Sequence, residues 1–558
     1  MTIQADVETD RHADTQADQQ AFPRLDSHEI EVIAGMAAAR HYADGDTVFE
    51  AGTPEVDLFV VKSGYVDILN PTDDGKRIVR HGPGEFLGDI DVLTRRPVIV
   101  TAVARGDGVE LLRVPGPKIR DVLNAIPRLG EKMITAFTVR RELLQRGGVL
   151  GLKVVGPKSC RDTTVVREFL YKNFVPFIWR DTEQPEGLAA WKDMGSPKKT
   201  PAIRCSDGTV LFNPSLLELA KCAGIWRHCP SDQVDLAVVG AGPAGIAAAV
   251  YAASEGLPTV VLDRLGPGGQ VGGSSLVENF IGFPAGLTGA DLATRGVLQM
   301  LKFGARMVAP VTVDRLEPAA DGSSHRLQLS CGTSLDAQVV LVATGVHWRK
   351  LDVPGAERFE RAGIYYACTS VEAYLHQGQE VAVIGAGNSA GQAAMFLAER
   401  CAKKVHLLVR REEFGPGMSD YLAARIRAQH NIEVHTGVEV SAVGGSRRIE
   451  SAELKHKNGG SSAIDVNAIF VFIGAEPHAN WLPETVARDK LGYLLTGTDV
   501  IQSGRWPLPD REPTPLETSL PRVLAGGDVR AGSTKRVGFA VGDGSLAVTC
   551  VHRIRAGH

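Results

Sequence analysis

The stretch LAVVGAGPAGIAAAVYAA at residues 236–253 decides the fold of the C-terminal part of the chain. It reads as an apolar strand, a turn with the spacing Gly240-x-Gly242-x-x-Gly245, and a helix of small residues. The first glycine permits the tight turn, the second lets the backbone approach a pyrophosphate, and the third lets the helix close on the strand. The next strand, TVVLD, ends in Asp263, whose carboxylate can accept a hydrogen bond from a ribose hydroxyl. The pattern predicts a dinucleotide-binding βαβ unit.

A second loop of the same kind follows the strand EVAVIG and precedes the helix AGQAAMFLAER. Its residues are Gly385, Gly387, Asn388, Ser389 and Ala390. The strand after this helix, KVHLLV, ends in Arg410 and Arg411 instead of an acid. Because guanidinium groups pair with a 2′-phosphate and a carboxylate would repel it, the second loop is predicted to prefer NADPH over NADH.

Two dinucleotide folds in tandem favour a protein that passes a hydride from a nicotinamide to a tightly held second dinucleotide, most simply FAD. Near the end of the chain, RVLAGGDVRAG at 522–532 reads as a strand that ends next to Asp528, followed by a helix of small residues. An acid at that position can bind the ribityl or diphosphate part of a flavin. The sequence therefore predicts an FAD fold split in two, with the NADPH fold inserted between its halves.

Residues 234–552 resemble low-molecular-weight thioredoxin reductases throughout. The motifs that carry the resemblance are GAGPAG at 240–245, GGQ at 268–270, VENFIGFP at 277–284, LVATG at 341–345, GAGNSA at 385–390, VRR at 409–411, VFIGAEP at 471–477 and GGDV at 526–529. The resemblance implies that Gly240, Gly242, Gly245, Asp263, Gly269, Gln270, Asn279, Gly345 and Asp528 lie around FAD. It implies that Gly385, Gly387, Asn388, Ser389, Ala390, Arg410 and Arg411 lie around NADPH. It also implies a homodimer.

The resemblance breaks at the redox-active cysteines. Thioredoxin reductases carry C-x-x-C shortly before the NADPH loop; aligned on Gly363, the two cysteine positions here are Ala367 and Ser370, and Cys368 is out of register by one residue. Two thiols are needed to form an internal disulfide, so the usual dithiol relay is not expected. Cys368 remains a candidate thiol beside the flavin or a small buried residue.

The segment before these folds resembles a cyclic-nucleotide-binding domain. GEFLGDIDVL at 84–93 and VTAVA at 100–104 resemble its phosphate-binding cassette. Gly88 is retained and Asp89 stands where the family has the ribose-binding Glu, but Val98 occupies the position of the phosphate-binding Arg. The resemblance therefore predicts the jelly-roll β-barrel and leaves cyclic-nucleotide binding open.

The next 80 residues or so resemble a glutaredoxin or thioredoxin domain. Thr200-Pro201 lies where such folds place a cis-proline, and Cys160 occupies the position of the nucleophile. The resolving position is Thr163. A thiol at a helix N-terminus beside cationic side chains is expected to have a lowered pKa. Cys160 is thus a candidate redox residue, and a redox-inactive docking domain is the alternative.

Length and composition agree with a chain of several domains. At about 150 residues per domain, 558 residues predict three to four. The predicted boundaries are 1–24 for a disordered tail, 25–148 for the cyclic-nucleotide-binding-like domain, 149–230 for the thioredoxin-like domain, 231–347 and 479–558 for the FAD domain, and 348–478 for the NADPH domain. The eight cysteines show no C-x-x-C spacing, so the sequence predicts neither a disulfide framework nor a metal site.

The charge balance of 61 basic and 65 acidic residues, net -4, gives no general attraction to nucleic acid or anionic membrane. The sequence also shows no signal peptide and no apolar membrane span, so a cytoplasmic protein is expected. The predicted function is an NADPH-dependent FAD oxidoreductase that delivers electrons to a disulfide or to a protein acceptor such as a thioredoxin. The alternatives are a flavin-based redox or nucleotide sensor, and a reductase whose electrons leave the flavin directly for ferredoxin or quinone.

Overall fold

The computed structural model describes residues 16–71, 75–147, 151–158, 160–196, 199–229, 233–273, 277, 280–319, 322–360, 363–366, 368, 373, 376–400, 402–414, 418–446 and 448–557. Asn279, Ala367 and Ser370, which the sequence analysis singles out, lie outside these residues. Among the described helices, none is long and apolar enough to cross a membrane.

The N-terminal domain is an antiparallel β-structure, hereafter the barrel. Its elements are α1 (Gln16–Ala21), α2 (Ser27–Ala34), β1 (Ala38–Tyr42), β2 (Thr47–Phe49), β3 (Leu58–Asn70), β4 (Lys76–His81), β5 (Phe86–Leu87), α3 (Ile90–Thr94), β6 (Thr101–Val114), α4 (Ile119–Ala125) and α5 (Pro127–Gly147). The sheet has the order β1-β6-β3-β4, with β2 on β6 and β5 on β3. Consecutive residues of β3 are buried on both faces of the sheet, because Leu58 and Val60 pack in one apolar cluster with α2, α4 and α5 and Phe59 and Val61 pack in a second one.

The predicted disordered tail is too long. Residues 16–21 form α1, which packs against α5, and Ala21 is fully buried. Arg140 on α5 donates a hydrogen bond from Nε to the carbonyl of Ala21 at 2.7 Å, and its guanidinium lies 5.3 Å from the centre of the Phe22 ring. The polar composition of this segment predicts disorder, because it does not show that contacts with distant residues bury α1.

The middle domain is a small α/β unit, hereafter the thioredoxin-like module. Its elements are β7 (Leu152–Val155), α6 (Arg161–Lys172), β8 (Phe177–Arg180), α7 (Pro185–Asp193), β9 (Ala202–Arg204), β10 (Val210–Phe212) and α8 (Leu216–Cys222). The sheet order is β10-β9-β7-β8, with β7 parallel to β8 and antiparallel to β9. The Thr200-Pro201 peptide bond is cis. This strand order and the cis-proline agree with the predicted thioredoxin-type fold.

The structure corrects the expectation of no disulfide. Cys205, which follows β9, is bonded to Cys222 at the end of α8, with Cα atoms 5.5 Å apart. The two cysteines are separated by 17 residues in the sequence, and the fold brings the β9–β10 turn against α8. Sequence spacing alone does not identify such an isolated pair.

The first half of the FAD-type domain follows. Its elements are β11 (Val234–Val239), α9 (Pro243–Ser254), β12 (Thr259–Leu262), α10 (Gly289–Phe303), β13 (Arg306–Val308), β14 (Val313–Pro318), β15 (His325–Leu329), β16 (Ser334–Val342) and β17 (Val346–Trp348). The sheet order is β13-β12-β11-β16-β15-β14, in which β13, β12, β11 and β16 are parallel. Strands β11 and β12 read as continuous apolar runs because both faces of a parallel sheet are covered.

The NADPH-type domain has its own sheet. Its elements are α11 (Ala356–Phe359), β18 (Ile364–Tyr365), β19 (Glu380–Ile384), α12 (Asn388–Arg400), β20 (Lys404–Val409), α13 (Asp420–Ala428), β21 (Ile432–Thr436), β22 (Val438–Gly444), β23 (Ser451–His456), β24 (Ser461–Asp465), β25 (Ala468–Val471) and β26 (Ala475–Pro477). The parallel sheet has the order β18-β25-β19-β20-β21, and β22-β23-β24 form an antiparallel layer.

The chain then returns to the first sheet through α14 (Thr498–Gln502), β27 (Val523–Ala525) and α15 (Val537–Arg555). Strand β27 pairs in parallel with β16, and α15 packs against α9. The predicted fold class, with one nucleotide fold inserted in another, is therefore confirmed.

The thioredoxin-like module contacts the barrel through the turn after α6. Arg141 of the barrel donates a hydrogen bond from Nη1 to the carbonyl of Phe174 at 3.1 Å, and Arg96 donates to the carbonyl of Asn173. Leu298 of α10 is buried in the apolar core of the barrel. The barrel is thus joined to both neighbouring domains.

Candidate nucleotide and thiol site

The first glycine loop leaves no room for side chains. Gly240 has φ +109°, and a Cβ built on it would lie 2.4 Å from the carbonyl oxygen of Ala343 on the neighbouring strand. A Cβ on Gly245 would lie 1.9 Å from the carbonyl oxygen of Gly240. Gly242 is the N-cap of the 12-residue helix α9. Because it has no side chain, it cannot cap the first N–H groups of that helix. They are available to an anion.

The GGQ segment lies against this loop. The N–H of Gly268 donates to the carbonyl of Ala241 at 2.8 Å, and a Cβ on Gly269 would lie 2.9 Å from the Cα of Gly242. Gln270 extends past the loop and donates from Nε2 to the carbonyl of Val346. The loops at 240–245 and 268–270 therefore form one cradle, as the sequence motifs indicate.

Asp263 fixes the shape of that cradle. Its carboxylate accepts hydrogen bonds from the backbone N–H groups of Ala241 at 2.8 Å, Leu265 at 2.9 Å and Gly266 at 2.8 Å. The predicted bond to a ribose hydroxyl remains a prediction. Asp263 also has a structural role, because these hydrogen bonds connect the loop after β11 to the loop after β12.

Gly345 and Asp528 lie at the ends of neighbouring strands of the same sheet. Gly345 has φ +62° and follows β16, and Asp528 lies in a short 3-10 helix that follows β27. Burial raises the pKa of Asp528, and Lys535 partly offsets this effect. The neighbouring Arg530 is instead paired with Asp543, at 3.2 Å.

The second glycine loop repeats the steric pattern of the first. Gly385 has φ +147°, and a Cβ on it would lie 2.6 Å from the carbonyl oxygen of Phe472 and 2.9 Å from the Cβ of Ala390. After Gly387, the exposed Asn388 and Ser389 begin α12, and Asn388 accepts a hydrogen bond from the N–H of Ser419 at 2.9 Å. Ala390 is 1% exposed.

Arg410 and Arg411 lie at the end of β20, next to this loop, and both are exposed. The side chain of Arg410 is 79% exposed, with Nε 3.5 Å from Oε1 of Glu439. An ion pair this exposed contributes little to stability, so the guanidinium is available to a ligand.

A cavity of about 1600 Å³ joins three domains. The thioredoxin-like module contributes Lys158, Arg161, Thr164 and Arg167; the FAD-type domain contributes Arg264, Gln270, His347 and His478; the NADPH-type domain contributes Gly385, Glu439, Arg410 and Arg411. Its walls hold eight lysines and arginines and four glutamates. The cavity therefore suits an anionic ligand and brings together Gln270 and the second loop's Gly385, Arg410 and Arg411.

Sequence analysis missed two histidines of this cavity. The rings of His347 and His478 lie 5.6 Å apart at 75°. Burial lowers the pKa of His478, and the positive charge of Arg264 adds to that effect, so its imidazole is neutral at neutral pH. His347 comes two residues after the motif that ends at Gly345, and His478 immediately follows the motif that ends at Pro477. Their nearness to these motifs is the sequence signal that could have identified them.

Cys160 is the N-cap of α6, between Lys158 and Arg161, which line the cavity; Cys160 itself is not one of the lining residues. Its Sγ lies 3.4 Å from Oγ1 of Thr200, which precedes the cis-proline. Burial alone raises the pKa of the Cys160 thiol, but hydrogen bonds with Thr200 and with the backbone N–H groups of Thr163 and Asp162 outweigh it, so the pKa is lowered. Thr163, at the resolving position, is fully buried.

The module also touches the flavin-type cradle. Lys172 at the end of α6 donates from Nζ to the carbonyl of Gly269 at 3.3 Å, and Asn173 donates from Nδ2 to the carbonyl of Leu265 at 2.8 Å. At the opposite end of α6, Arg161 lies 3.5 Å from Glu360 of the NADPH-type domain. Helix α6 thus bridges both nucleotide-binding folds.

In the barrel, the predicted pocket residues are occupied by internal contacts. A Cβ on Gly88, which has φ +110°, would lie 2.6 Å from the side chain of Val92. Asp89 pairs with Nη2 of Arg141 at 2.7 Å. Burial raises the pKa of Asp89 to about 6, with Arg141 acting in the opposite direction. Val98 is 8% exposed and lines, together with Gly88 and Asp89, a cavity in the barrel.

Residues 234–544 match the model of the pyridine nucleotide-disulphide oxidoreductase family. The chain belongs to this family. Residues 39–125 match the model of the cyclic nucleotide-binding domain, which confirms the predicted N-terminal domain type. The family implies a flavin and a pyridine nucleotide, and the glycine cradles, the open N-terminus of α9 and the exposed Arg410 and Arg411 fit those groups.

Several known proteins are similar to the C-terminal part of this chain. A subunit of the alkyl hydroperoxide reductase of Escherichia coli is 31% identical over 322 residues, which cover 57% of each chain. The thioredoxin reductase of Mycoplasma pneumoniae is 32% identical over 58% of this chain and 96% of its own. The solved thioredoxin reductase of Lactococcus lactis is 25% identical over 58% of this chain and all of that one, with a TM-score of 0.49.

The match to the hydroperoxide reductase subunits leaves a large part of both proteins uncovered. The chain spans little more than half the length of these curated relatives, 55–57%. The barrel and the thioredoxin-like module precede the matched family segment, which begins at residue 234. The activity of the whole chain therefore has to be argued from its own site.

The position of Cys368 separates this chain from a dithiol enzyme. Cys368 is partly buried and packs against the apolar core of the NADPH-type domain, on the side that includes Val383 and Phe470. Ala367 and Ser370, which occupy the aligned cysteine positions, lie outside the described residues. Cys368 thus lies in an apolar environment, and its role, as a packing residue or as a thiol beside the flavin, stays a prediction.

Proposed function

We propose that this protein is an FAD-dependent oxidoreductase that oxidises NADPH and delivers the electrons to a disulfide or protein acceptor. The observation that carries the proposal is the shared cavity of about 1600 Å³. It is lined by Gln270 of the flavin cradle, by Gly385 and the arginine pair of the second loop, and by the N-terminal half of α6. A nicotinamide donor and an acceptor bound here would meet at one place.

The two arginines support NADPH as the donor. Arg410 and Arg411 are exposed at the end of β20, where a dinucleotide fold places the adenosine ribose. A 2′-phosphate can accept charge-assisted hydrogen bonds from both guanidinium groups, whereas NADH has only a hydroxyl there. We therefore expect the chain to discriminate in favour of NADPH.

The first loop would hold FAD. Backbone N–H groups at the start of α9 would bind the pyrophosphate, Asp263 would keep the loop in shape, and Asp528 would face the ribityl or diphosphate part. FAD supplies the two-electron chemistry when bound. The protein's own contribution is to position the two dinucleotides, and no side-chain acid or base is assigned to the first half-reaction.

The favoured acceptor is a disulfide. In the net reaction, NADPH, a proton and one disulfide give NADP⁺ and two thiols. A thiolate attacks a disulfide to form a mixed disulfide and releases the other sulfur as a thiolate, which takes up the proton. The two electrons and the hydrogen that NADPH supplies would then cleave the mixed disulfide, which returns the attacking thiolate and releases the second sulfur as a thiol. The lowered pKa of Cys160, at the N-terminus of α6, suits it to this attack. A thioredoxin-like protein is the partner this chemistry favours, and a homodimer is the expected assembly.

A second candidate is direct release of electrons from the flavin to ferredoxin or quinone. The observation in its favour is Thr163, which replaces a resolving cysteine and is fully buried. Without a second thiol in that place, Cys160 cannot complete an internal disulfide there. A redox sensor with slow turnover is the remaining alternative, since the barrel is joined to the module and to the FAD-type domain.

The test is NADPH oxidation by the purified holoprotein. We expect NADPH to bleach the flavin anaerobically and to support reduction of DTNB, with and without added thioredoxins. Cys160→Ser should abolish disulfide reduction while leaving flavin bleaching intact. Cys331→Ser serves as a matched control because Cys331 is hydrogen-bonded to Thr333 and packs against the apolar cluster of the FAD-type sheet, not against that of α6.

Retention of disulfide reduction by Cys160→Ser would rule out the thiol route. Turnover of ferredoxin or quinone by that variant would then establish direct exit. Failure of NADPH to bleach the flavin would reject the proposed function altogether.

A further inference from the structure

The barrel encloses a second cavity, separate from the nucleotide site. Its volume is about 480 Å³, within the range of small-molecule sites. Much of its wall is apolar, formed by Phe49, Ile68, Val79, Val98, Val100 and Leu143. Arg140 of α5 also lines it.

Arg140 is buried, and among the described residues no carboxylate forms an ion pair with it, although the charges of Asp89 and Glu85 act on it from a greater distance. It is 7% exposed, and it donates from Nε to the carbonyl of Ala21 at 2.7 Å and from Nη1 to the carbonyl of Gly88 at 2.6 Å. Its Nη2 is buried and has no hydrogen-bond partner among the described residues. The guanidinium lies 4.5 Å from the centre of the Phe86 ring. A buried cation with an unused donor is costly unless an anion completes it.

The acids around the cavity are already engaged. Arg141 pairs through Nη2 with Asp89 at 2.7 Å and with Asp91 at 2.6 Å. Glu85 lies 3.1 Å from Nδ1 of His81, which lines the cavity. Lys76 and Arg77 at the rim are exposed and add positive charge. The cavity therefore presents a cation to a ligand, with its nearest carboxylates held by other groups.

The wall does not suit a cyclic nucleotide. Val98 occupies the place of the phosphate-binding arginine and joins Ile99 and Val100 in an apolar edge. Asp89, in the place of the ribose-binding glutamate, is held by Arg141. A cyclic nucleotide placed here would leave its ribose hydroxyls without a free carboxylate acceptor and would set its phosphate against the apolar edge at 98–100, so part of its lost hydration would not be replaced.

We propose that the barrel cavity binds an amphiphilic monoanion of the medium-chain carboxylate class. The acid group pairs with Nη2 of Arg140, and a flexible alkyl chain packs against Phe49, Ile68, Val98 and Val100. The buried guanidinium supplies a charge-assisted hydrogen bond, and the apolar wall buries the alkyl chain. This inference concerns the barrel alone and does not depend on the reductase activity.

The test is calorimetric titration of the full-length holoprotein with decanoate. We expect saturable binding at one site per chain, at least tenfold tighter than binding of decanol and of cAMP or cGMP. Arg140→Gln should weaken decanoate binding at least tenfold. Arg128→Gln, exposed on the same helix, is the matched control and should leave binding unchanged.

A second variant keeps the test informative if Arg140→Gln fails to fold. Val100→Trp leaves Arg140 in place and fills the cavity with the indole, so it should abolish decanoate binding while the flavin content and melting temperature stay close to those of the parent. Absence of decanoate binding, equal binding of decanol, tighter binding of cAMP or cGMP, or full binding by Val100→Trp would each overturn the proposal.

Discussion

The C-terminal nucleotide folds retain the residues typical of their binding sites, whereas each of the two N-terminal domains has a replacement at a key position. In the nucleotide folds, Gly240 and Gly385 occupy positions where a Cβ would meet a carbonyl oxygen at 2.4 Å and 2.6 Å. In the N-terminal domains, Val98 and Thr163 replace the side chains expected to bind phosphate and to resolve a disulfide. The folds around both replacements are nevertheless intact.

The difference follows from which atoms form each site. A pyrophosphate cradle consists of backbone N–H groups, so its geometry demands glycine and any substitution disturbs the neighbouring strand. A site that consists of side chains can lose its ligand chemistry without disturbing the backbone. The sites of the N-terminal domains can therefore change their ligands while the fold is kept, whereas the glycine loops are restricted to dinucleotides.

The largest effect is expected from Gly240→Ala. Its Cβ would lie 2.4 Å from the carbonyl oxygen of Ala343, in a backbone conformation with φ +109° that disfavours side chains. We expect loss of bound flavin and a fall in stability of several kcal/mol, because backbone on both sides must shift. Absorbance of the purified variant and its thermal unfolding measure both effects.

Gly272→Ala is the control for that substitution, since a Cβ at Gly272 meets no described atom within 4 Å. This variant should retain flavin and stability. If Gly240→Ala also retained flavin, the contrast between backbone-built and side-chain-built sites would fail.

A smaller effect is expected from the double change Arg410→Gln and Arg411→Gln. Loss of a charge-assisted hydrogen bond costs about 1.5–3 kcal/mol, and exposure of both arginines places the effect toward the lower end. We expect KM for NADPH to rise by roughly 10-fold to 100-fold with little change in kcat, and KM for NADH to stay the same. Steady-state kinetics with both nucleotides, alongside the exposed Arg427→Gln as control, give the measurement. An equal change for NADH and NADPH would show that the arginines do not read the 2′-phosphate.

Sequence reasoning was effective where the site depends on the backbone. The glycine spacing predicted both loops, the split of the FAD-type domain and the arginine pair, because strand, turn and helix lie next to each other along the chain. The resemblance to thioredoxin-type folds also placed Thr200 before a cis-proline.

The rest depends on contacts between distant segments. The Cys205–Cys222 bond, the packing of Ala21 under α5 and the bridge from Arg161 to Glu360 join residues that no local pattern relates. Asp89, which the motif assigns to ligand binding, instead forms an ion pair with Arg141, 52 positions later in the chain. Such partners become visible only when the tertiary fold is known.

The smallest expected effect is a shift in the pH dependence of Cys160 alkylation, which tests whether the thioredoxin-like module retains a reactive thiol. Because hydrogen bonds with Thr200 and Thr163 outweigh burial and lower the pKa of Cys160, its thiolate is populated at a lower pH than that of an ordinary cysteine. Alkylation of the Cys160 peptide by iodoacetamide, followed by mass spectrometry, should therefore rise with pH to a midpoint below the ordinary value of about 8.5. Thr200→Val should move that midpoint upward.

Cys229 provides the internal control, because burial raises the pKa of its thiol to about 11. At every pH up to 9 it should react more slowly than Cys160 in the same sample. Equal rates for the two peptides, or a Cys160 midpoint that Thr200→Val leaves in place, would indicate that the module keeps the fold without an activated thiol. The module would then be a docking domain, and both N-terminal domains would have lost the chemistry that their folds suggest.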